Sequence, residues 1–191
     1  MEKIILASTS PRRKELLQKL NLRFKAVNSD YEEDMNSKLK PLELAKYLSR
    51  GKAKAVAKQY KKHVIIAADT FIALKDEPLG KPHTVPQAKK MLAKISGKPL
   101  LVITGFTIID TANNKTMSKA VETKVYIKKL SNREINSYVK SNEPLDKAGA
   151  FAIQGLGAVI VRKIEGDYFN VMGLPLNALS EALKKFGIHI L

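Results

Sequence analysis

Two short runs of consecutive apolar residues, at 3–8 (KIILAS) and 63–70 (HVIIAADT), predict two strongly buried strands. Unbroken apolar runs of this length are typical of strands covered on both faces, as in an α/β sheet. A helical pattern follows the first run, because Leu16, Leu17 and Leu20 recur at spacings that place them on one helix face. The alternation of buried strand and helix therefore predicts an α/β fold.

The rest of the chain divides into further helical and strand-like segments. Helices are predicted over 41–60, 84–97, 131–141 and 174–187. Strands are predicted over 100–130, as a hairpin turning at TANNKT, and over 158–164 and 167–173. A polar loop with several glycines occupies 142–157. Because no repeat or linker is evident, we expect one domain over residues 1–191, with a mixed sheet flanked by helices.

The charge of the chain narrows its candidate ligands. There are 34 Lys and Arg against 18 Asp and Glu, a formal net charge of +16, which favours polyanions or free phosphates. The lysines are scattered and only 6% of residues are aromatic, so we expect no nucleic-acid partner. No apolar run approaches the roughly 18 residues that span a bilayer, and cysteine chemistry is excluded because the chain has no cysteine. We expect a cytoplasmic protein without a membrane partner.

Two arginines stand at the beginning of the first predicted helix, where the helix dipole disfavours cations. Ser10 suits the N-cap and Pro11 the first helical position, which places Arg12 and Arg13 in the first turn. An exposed cation there costs about 0.3–1 kcal/mol, whereas a bound anion reverses the sign of that cost. Two interpretations stay open: a phosphate cradle that includes the hydroxyls of Ser8 and Ser10, or an ordinary capped helix with solvated arginines.

Four more polar side chains are candidates for a site. Lys52 lies on the apolar face of its helix, so it either meets an anionic partner or extends its ammonium to solvent. Asp69 ends a buried strand, where open α/β sheets bind ligands; it binds a metal, orients a water or caps a loop. Lys81 and Gln154 lie in loops rich in glycine and proline. We expect that loss of Arg12 or Lys52 weakens anion binding without harming the empty fold.

Common catalytic fingerprints are absent from the sequence. It has no glycine-rich loop of the P-loop or dinucleotide-binding kind, and no nucleophile elbow. Its three histidines show no metal-ligand spacing. The candidate chemistry therefore rests on separated cations and one acid.

Five segments, in this order and spacing, resemble the Maf family of nucleoside triphosphate pyrophosphatases: LASTSPRRKELL, AADT, LGKP, EPLDKAGAFAIQGLG and IEGDYFNVMGLPL. The resemblance covers nearly the whole chain. It implies an elongated mixed sheet with two lobes and a cleft between them, as in inosine triphosphatase-like folds. It also implies hydrolysis of a nucleoside triphosphate to the monophosphate and pyrophosphate with a divalent cation, Mg²⁺ or Mn²⁺.

The resemblance further implies roles for individual residues. The family's motif residues fall here on Ser8, Arg12, Arg13, Glu33, Lys52, Asp69, Lys81 and Gln154. Asp69 matches the catalytic acid, assigned as general base and, with Glu33, as a metal ligand; a solvated acidic turn stays the alternative for Glu33. Lys52 and Lys81 are expected to be catalytic, and the remaining motif residues to bind the substrate. We further expect the charge of the leaving pyrophosphate to be stabilised by Arg12, Arg13, Lys52 and Lys81.

Arg12, Thr70 and Gln154 match positions that separate the branches of the family. They resemble the branch that acts on dTTP and UTP, with modified pyrimidine nucleotides as a further option. On this hypothesis Asp69 activates a water that attacks the α-phosphorus. The alternatives are a 7-methyl-GTP pyrophosphatase and a regulatory interaction protein of cell division and septum formation. A homodimer is left open as the assembly state.

Overall fold

A computed structural model describes residues 3–32, 39–75 and 77–191 of the chain. The strands are β1 (Ile4–Ala7), β2 (Phe24–Val27), β3 (Val64–Leu74), β4 (Glu77–Leu79), β5 (Pro99–Asp110), β6 (Lys115–Ile127) and β7 (Val161–Glu165). The α-helices are α1 (Pro11–Gln18), α2 (Pro41–Ala57), α3 (Val85–Ile95), α4 (Asn132–Lys140), α5 (Tyr168–Met172) and α6 (Leu176–Lys184). Within these described ranges, no helix is both long and apolar enough to cross a membrane.

The described strands form a seven-stranded sheet in the order β2-β1-β3-β5-β6-β7, with β4 paired to β3. β1 runs parallel to β2 and to β3, whereas β4 is antiparallel to β3 and β7 is antiparallel to β6. The neighbours β5 and β6 are joined by residues 111–114 alone, a connection short enough only for an antiparallel hairpin. The predicted mixed α/β sheet is therefore confirmed, and its two unbroken apolar runs form β1 and β3.

The chain divides into two compact units. The first comprises Met1–Thr70, Thr104–Val121 and Phe169–Leu191, and the second comprises Phe71–Ile103 and Glu122–Tyr168. In the first unit Ile5 of β1 and Ile65 of β3 belong to one buried cluster with Ala53 and Val56 of α2. The apolar face of α2 thus packs on the sheet, as the helical spacing predicts. The expected single domain over the whole chain stays a prediction.

Gly105 of β5 brings α2 unusually close to the sheet. A Cβ atom at Gly105 would lie 2.1 Å from the carbonyl oxygen of Ala45 in the first half of α2. A side chain there would push the helix away, because helix backbone has no freedom to step aside. Gly105 therefore sets the height of α2, the helix that carries Lys52, above the sheet.

We expect Gly105→Ala to lower the free energy of unfolding by about 1–3 kcal/mol, the usual cost of overpacking a closed interior. Urea unfolding followed by circular dichroism measures the change. Gly80→Ala is the matched control, since a Cβ atom at Gly80 has nothing within 4 Å. Equal stability of the Gly105 variant and the wild type would show that α2 is not held by this contact.

The predicted helices are all confirmed, and one predicted strand is wrong. The segments 41–60, 84–97, 131–141 and 174–187 contain α2, α3, α4 and α6, with ends that differ by up to three residues. Residues 167–173 hold helix α5 rather than a strand. A short apolar run suits a buried strand or a buried helical turn, and here tertiary contacts decide. Thr104 of β5 donates to the backbone carbonyl of Asn170 at 2.9 Å, and the Asn170 side chain is fully buried.

Two further differences concern short elements. Residues 158–160 end a 3-10 turn, and the predicted strand begins only at Val161. β2 and β4, four and three residues long, are missing from the prediction because they are too short to show a period. Both are held by pairing with a longer or more buried neighbour, β1 and β3 respectively.

Candidate active site

The turn from β1 into α1 presents a helix N-terminus without an acidic residue in its first turn. Ser10 caps the helix, because its hydroxyl accepts from the backbone N–H of Arg13 at 3.4 Å. The Ser8 hydroxyl in turn accepts from the backbone N–H of Ser10 at 3.2 Å. Pro11 occupies the first helical position, and the first turn contains no acidic residue. The predicted cap is confirmed, and the positive end of the helix dipole is left uncompensated by any carboxylate in that turn.

The two arginines of this turn differ in their surroundings. The guanidinium of Arg13 donates from Nε to the carbonyl of Gly173 at 3.0 Å and from Nη2 to the hydroxyl of Thr70 at 3.1 Å. Solvated arginines, one interpretation of the sequence, are therefore wrong for Arg13. Over residues 3–32, 39–75 and 77–191, the guanidinium of the half-buried Arg12 makes no hydrogen bond or ion pair. The donors of the Arg12 guanidinium are therefore available for an anion.

Thr70 is held in a chain of hydrogen bonds. Its hydroxyl lies 2.9 Å from that of Thr104, which donates to the carbonyl of Asn170 at 2.9 Å. Thr104 gives its single hydroxyl hydrogen to Asn170, so the hydrogen of Thr70 is directed to Thr104 or to the carbonyl of Gly173 at 3.5 Å. Because Arg13 also donates to Thr70, the Thr70 hydroxyl keeps only acceptor capacity for a ligand.

Lys52 and Asp69 form a buried ion pair. Lys52 projects from α2, and its Nζ lies 2.5 Å from Oδ1 of Asp69. Asp69 lies in the middle of β3, so the prediction that it ends a buried strand is wrong: the strand continues to Leu74 because its last residues pair with β4. Their side chains are 11% and 9% exposed. The expectation that an inward lysine needs an anionic partner is confirmed. A lysine extended to solvent and an aspartate that caps a loop are both wrong.

This pair also bears on the expected stability of a Lys52 variant. Removing the charge of Lys52 leaves the buried carboxylate of Asp69 without its cation, and an unpaired buried charge is strongly unfavourable. We therefore expect loss of Lys52 to destabilise the empty fold, contrary to the expectation from sequence that this loss spares it. The same expectation for Arg12 fits its lack of protein partners in the described chain.

The second unit carries Lys81 and Gln154 on loops that are tied to a common segment. Lys81 is exposed and follows Gly80, whose carbonyl accepts from the backbone N–H of Gly149 at 3.1 Å. On its other side His83 donates its backbone N–H to the carbonyl of Leu145 at 3.1 Å. The loop of Lys81 is therefore bonded on both sides to residues 145–149, which precede Gln154 in the predicted polar loop.

Glu143 is a residue that the sequence analysis missed as an organiser of this loop. Its carboxylate accepts from the hydroxyl of Tyr138 at 2.8 Å and from the backbone N–H groups of Leu156 and Gly157, both at 2.9 Å. Burial by itself raises the pKa of Glu143, but these three hydrogen bonds favour the charged form, and the pKa lies below its ordinary value. The sequence does contain a signal for this role of Glu143. An acidic residue begins the loop, and glycines later in the loop leave backbone N–H groups accessible to its carboxylate.

Metal-binding residues are less evident. Glu33 lies outside the described residues. Among residues 3–32, 39–75 and 77–191, no group of three or more His, Cys, Asp or Glu side chains is placed to hold a metal ion. Asp69 is thus the predicted metal ligand that the structure describes.

The fold is similar to that of a solved protein structure. A Ham1 protein from Coxiella burnetii has a similar structure, with a TM-score of 0.53 and 17% identity, covering 97% of this chain and 100% of that one. The family is defined more closely by sequence: the model of the Maf-like proteins matches residues 3–186. The chain belongs to the Maf family.

Curated relatives cover the full length of the chain. A protein of Methanococcoides burtonii named dTTP/UTP pyrophosphatase is 52% identical over 191 residues, which cover 100% of this chain and 98% of the relative. Proteins of the same name from Methanosarcina barkeri and Thermoanaerobacter sp. are 49% and 48% identical. They cover 100% and 99% of this chain, and 97% and 100% of their own lengths.

Proposed function

We propose that this protein hydrolyses dTTP and UTP to the nucleoside monophosphate and pyrophosphate. The observation that carries the proposal is the buried Lys52–Asp69 pair in the same compact unit as a helix N-terminus with an unpartnered cation, Arg12, within the described chain. Full-length relatives at 45–52% identity that carry the name dTTP/UTP pyrophosphatase support the substrate class.

Asp69 is the proposed general base. Its carboxylate takes a proton from a water whose oxygen forms a bond to the α-phosphorus, while the bond between that phosphorus and the oxygen of the leaving pyrophosphate breaks. Lys52 orients the carboxylate through its 2.5 Å contact with Oδ1, and the carboxylate keeps further lone pairs for the water. A buried, fixed acid of this kind reduces the reorganisation that the reaction requires.

Charge on the triphosphate is balanced by the helix N-terminus and by cations. Arg12 binds phosphate oxygens, for which the planar guanidinium is well shaped. The hydroxyl of Ser8, in the turn before α1, is a further proposed substrate-binding group. Arg13 holds Thr70 and Gly173, so we assign it mainly to the shape of the site. Lys81 is a further proposed cation.

The donor set fits a divalent ion of the Mg²⁺ or Mn²⁺ type. Such ions are commonly held by one or two carboxylates together with substrate phosphates and water, and Asp69 supplies a carboxylate in the described chain. When bound, the ion would neutralise charge on the phosphates. Glu33 remains the proposed second ligand.

The test of the function is pyrophosphate release from a panel of nucleotides with Mg²⁺ or Mn²⁺. We expect turnover of dTTP and UTP with a higher kcat/KM than for CTP or 7-methyl-GTP. Preference for 7-methyl-GTP would reassign the substrate. No pyrophosphate from any member of the panel would refute the proposed hydrolysis.

Arg12→Ala should separate substrate binding from stability. We expect kcat/KM for dTTP to fall about 10- to 100-fold, because a charge-assisted hydrogen bond is worth about 1.5–3 kcal/mol. The melting temperature should stay equal or rise slightly, since a cation at a helix N-terminus is unfavourable without an anion. Steady-state kinetics and calorimetry of the nucleotide-free protein measure the two effects.

Lys14→Ala removes a neighbouring charge from the same first turn and is the matched control for Arg12. We expect it to change kcat/KM less than threefold. If both variants lose the same activity, general attraction of the nucleotide explains the effect and Arg12 has no specific contact. A large loss of melting temperature in Arg12→Ala alone would assign that residue to the fold.

We assign to the carboxamide of Gln154 the recognition of the pyrimidine base by hydrogen bonds, and Gln154→Glu tests this role. A carboxamide offers both a donor and an acceptor, as the edge of uracil or thymine requires, whereas a carboxylate only accepts. We expect kcat/KM for dTTP to fall by the equivalent of about 1–3 kcal/mol. Parallel kinetics with dTTP, UTP, CTP and 7-methyl-GTP measure it, and an unchanged ranking would remove Gln154 from base selection.

A further inference from the structure

The side chains of Tyr138 and Glu143 form hydrogen bonds to the backbone on both sides of Gln154. After Gln154, the backbone N–H groups of Leu156 and Gly157 donate to the two carboxylate oxygens of Glu143. The hydroxyl of Tyr138 donates to Glu143, and on the other side of Gln154 it lies 3.3 Å from the backbone nitrogen of Ala152, from which it accepts. The loop is thus attached to a single pair of side chains.

The pair is a strong attachment because of where it lies. Tyr138 is a buried residue of α4, and Glu143 is half-buried in the turn that follows this helix. A charged acceptor makes stronger hydrogen bonds than a neutral one, and Glu143 receives three of them. Burial and the hydrogen bond to Glu143 raise the pKa of Tyr138, so its hydroxyl keeps the proton that it donates.

Two glycines allow the loop to approach the pair so closely. A Cβ atom at Gly155 would lie 2.5 Å from a carboxylate oxygen of Glu143, and Gly155 has a φ of +65°, in the left-handed region. A Cβ atom at Gly157 would lie 2.6 Å from the hydroxyl oxygen of Tyr138. Any other residue at these positions would move the backbone next to Gln154.

Gln154 itself is presented without a protein partner for its amide. Its backbone is extended, with φ −110° and ψ 169°, and its side chain is half-buried. In the part of the chain that the structure describes, its carboxamide makes no hydrogen bond. A fixed backbone and an amide with open donor and acceptor positions are what a ligand-reading residue requires.

We propose that Glu143 and Tyr138 are positioning residues, which hold the backbone on both sides of Gln154 and thereby set the preference for the nucleotide base. The inference rests on the proposed function. Loss of the Tyr138–Glu143 pair leaves the chemistry of Asp69 in place but lets the carboxamide of Gln154 adopt several positions. Discrimination between bases is then lost more than the rate of hydrolysis.

The experiment compares Glu143→Gln and Tyr138→Phe with Glu165→Gln and Tyr126→Phe. Tyr126 and Glu165 form a second tyrosine–glutamate hydrogen bond, also 2.8 Å long, but on the exposed surface of β6 and β7. Each control variant thus makes the same chemical change in a pair on β6 and β7 rather than in the pair that is bonded to the loop of Gln154. For each protein we would measure kcat and KM for dTTP, UTP and CTP, and amide hydrogen exchange by NMR without nucleotide.

In the Glu143 and Tyr138 variants we expect the ratio of kcat/KM for dTTP to that for CTP to fall at least tenfold, chiefly through KM for dTTP. Exchange at the amides of Leu156 and Gly157 should be at least tenfold faster in Glu143→Gln. The control variants should change neither quantity by more than twofold. Tyr138→Phe removes one hydroxyl only, so it stays informative if Glu143→Gln folds poorly.

Three outcomes would overturn the inference. All nucleotides losing activity in parallel would assign the pair to stability alone. Faster amide exchange with an unchanged ratio of kcat/KM for dTTP to that for CTP would show that the pair holds the loop without setting the base preference. Unchanged amide exchange would show that the pair does not hold the loop. Failure of the proposed function is a separate result, because the wild-type protein would then not hydrolyse dTTP at all.

Discussion

Asp69→Asn should lower kcat for dTTP by about 10²- to 10⁴-fold, the usual contribution of a positioned general base. Asparagine keeps the shape and one oxygen acceptor for Lys52, but it does not take a proton from water. KM should change much less than kcat, because the cations that bind the phosphates are intact. Single-turnover kinetics of pyrophosphate release measure the chemical step directly.

Asp110→Asn is the control for this result. Asp110 ends β5 on the surface, where its carboxylate accepts from the backbone N–H of Ala112 at 2.9 Å, and it has no proposed role in the reaction. Its kcat should equal that of the wild type. Circular dichroism should show that Asp69→Asn is folded at the assay temperature. Activity within threefold of the wild type in folded Asp69→Asn would exclude Asp69 as the base.

Lys52→Met should lower the free energy of unfolding by about 3–5 kcal/mol, the cost of leaving one member of a buried ion pair without its partner. Methionine keeps most of the aliphatic length of lysine, so little of the loss comes from a cavity. The carboxylate of Asp69, whose side chain is 9% exposed, is then buried without a cation. Denaturant unfolding at neutral pH measures the change.

A second variant distinguishes the charge from the packing. Lys52→Met combined with Asp69→Asn removes both charges, and we expect it to recover most of the lost stability. Lys46→Met is the surface control on the same helix, since Lys46 pairs with the exposed Glu43 and such pairs contribute about 0–1 kcal/mol. If the double variant is as unstable as Lys52→Met, the buried charge is not the cause.

The pair also links stability to function within one site. Lys52 reaches Asp69 from α2, and the height of α2 above the sheet depends on the missing side chain of Gly105. A displaced helix would therefore disturb the orientation of the carboxylate as well as the packing. We infer that Gly105 helps to set the orientation of the Asp69 carboxylate, although Gly105 is not itself a proposed catalytic or substrate-binding residue.

The candidate site was predictable from sequence as a set of residue types, and less so as a set of contacts. Lys52 on an apolar helix face and Asp69 after an apolar run were each visible as anomalies. Arg12 and Arg13 were indistinguishable by the same reasoning, because adjacent residues in a first turn have the same dipole and the same charge. Their different partners follow from where Gly173 comes to lie, 160 residues further along the chain than Arg13.

What the sequence by itself determined is the local part of the structure. The buried strands β1 and β3, the cap at Ser10 and the helical faces depend on periodicity and on hydrogen bonds between residues a few positions apart. The mixed α/β class follows from their order along the chain. These features need no knowledge of which strands become neighbours.

Only the tertiary structure decided which side chains meet. It joined Lys52 to Asp69, Arg13 to Thr70, and Glu143 to the loop of Gln154. It also made a helix of residues 168–172, where a short apolar run favours strand and helix equally. The physical reason is that a buried polar group must find its partner within about 3 Å, and that distance depends on strand order and helix height, which local periodicity does not contain.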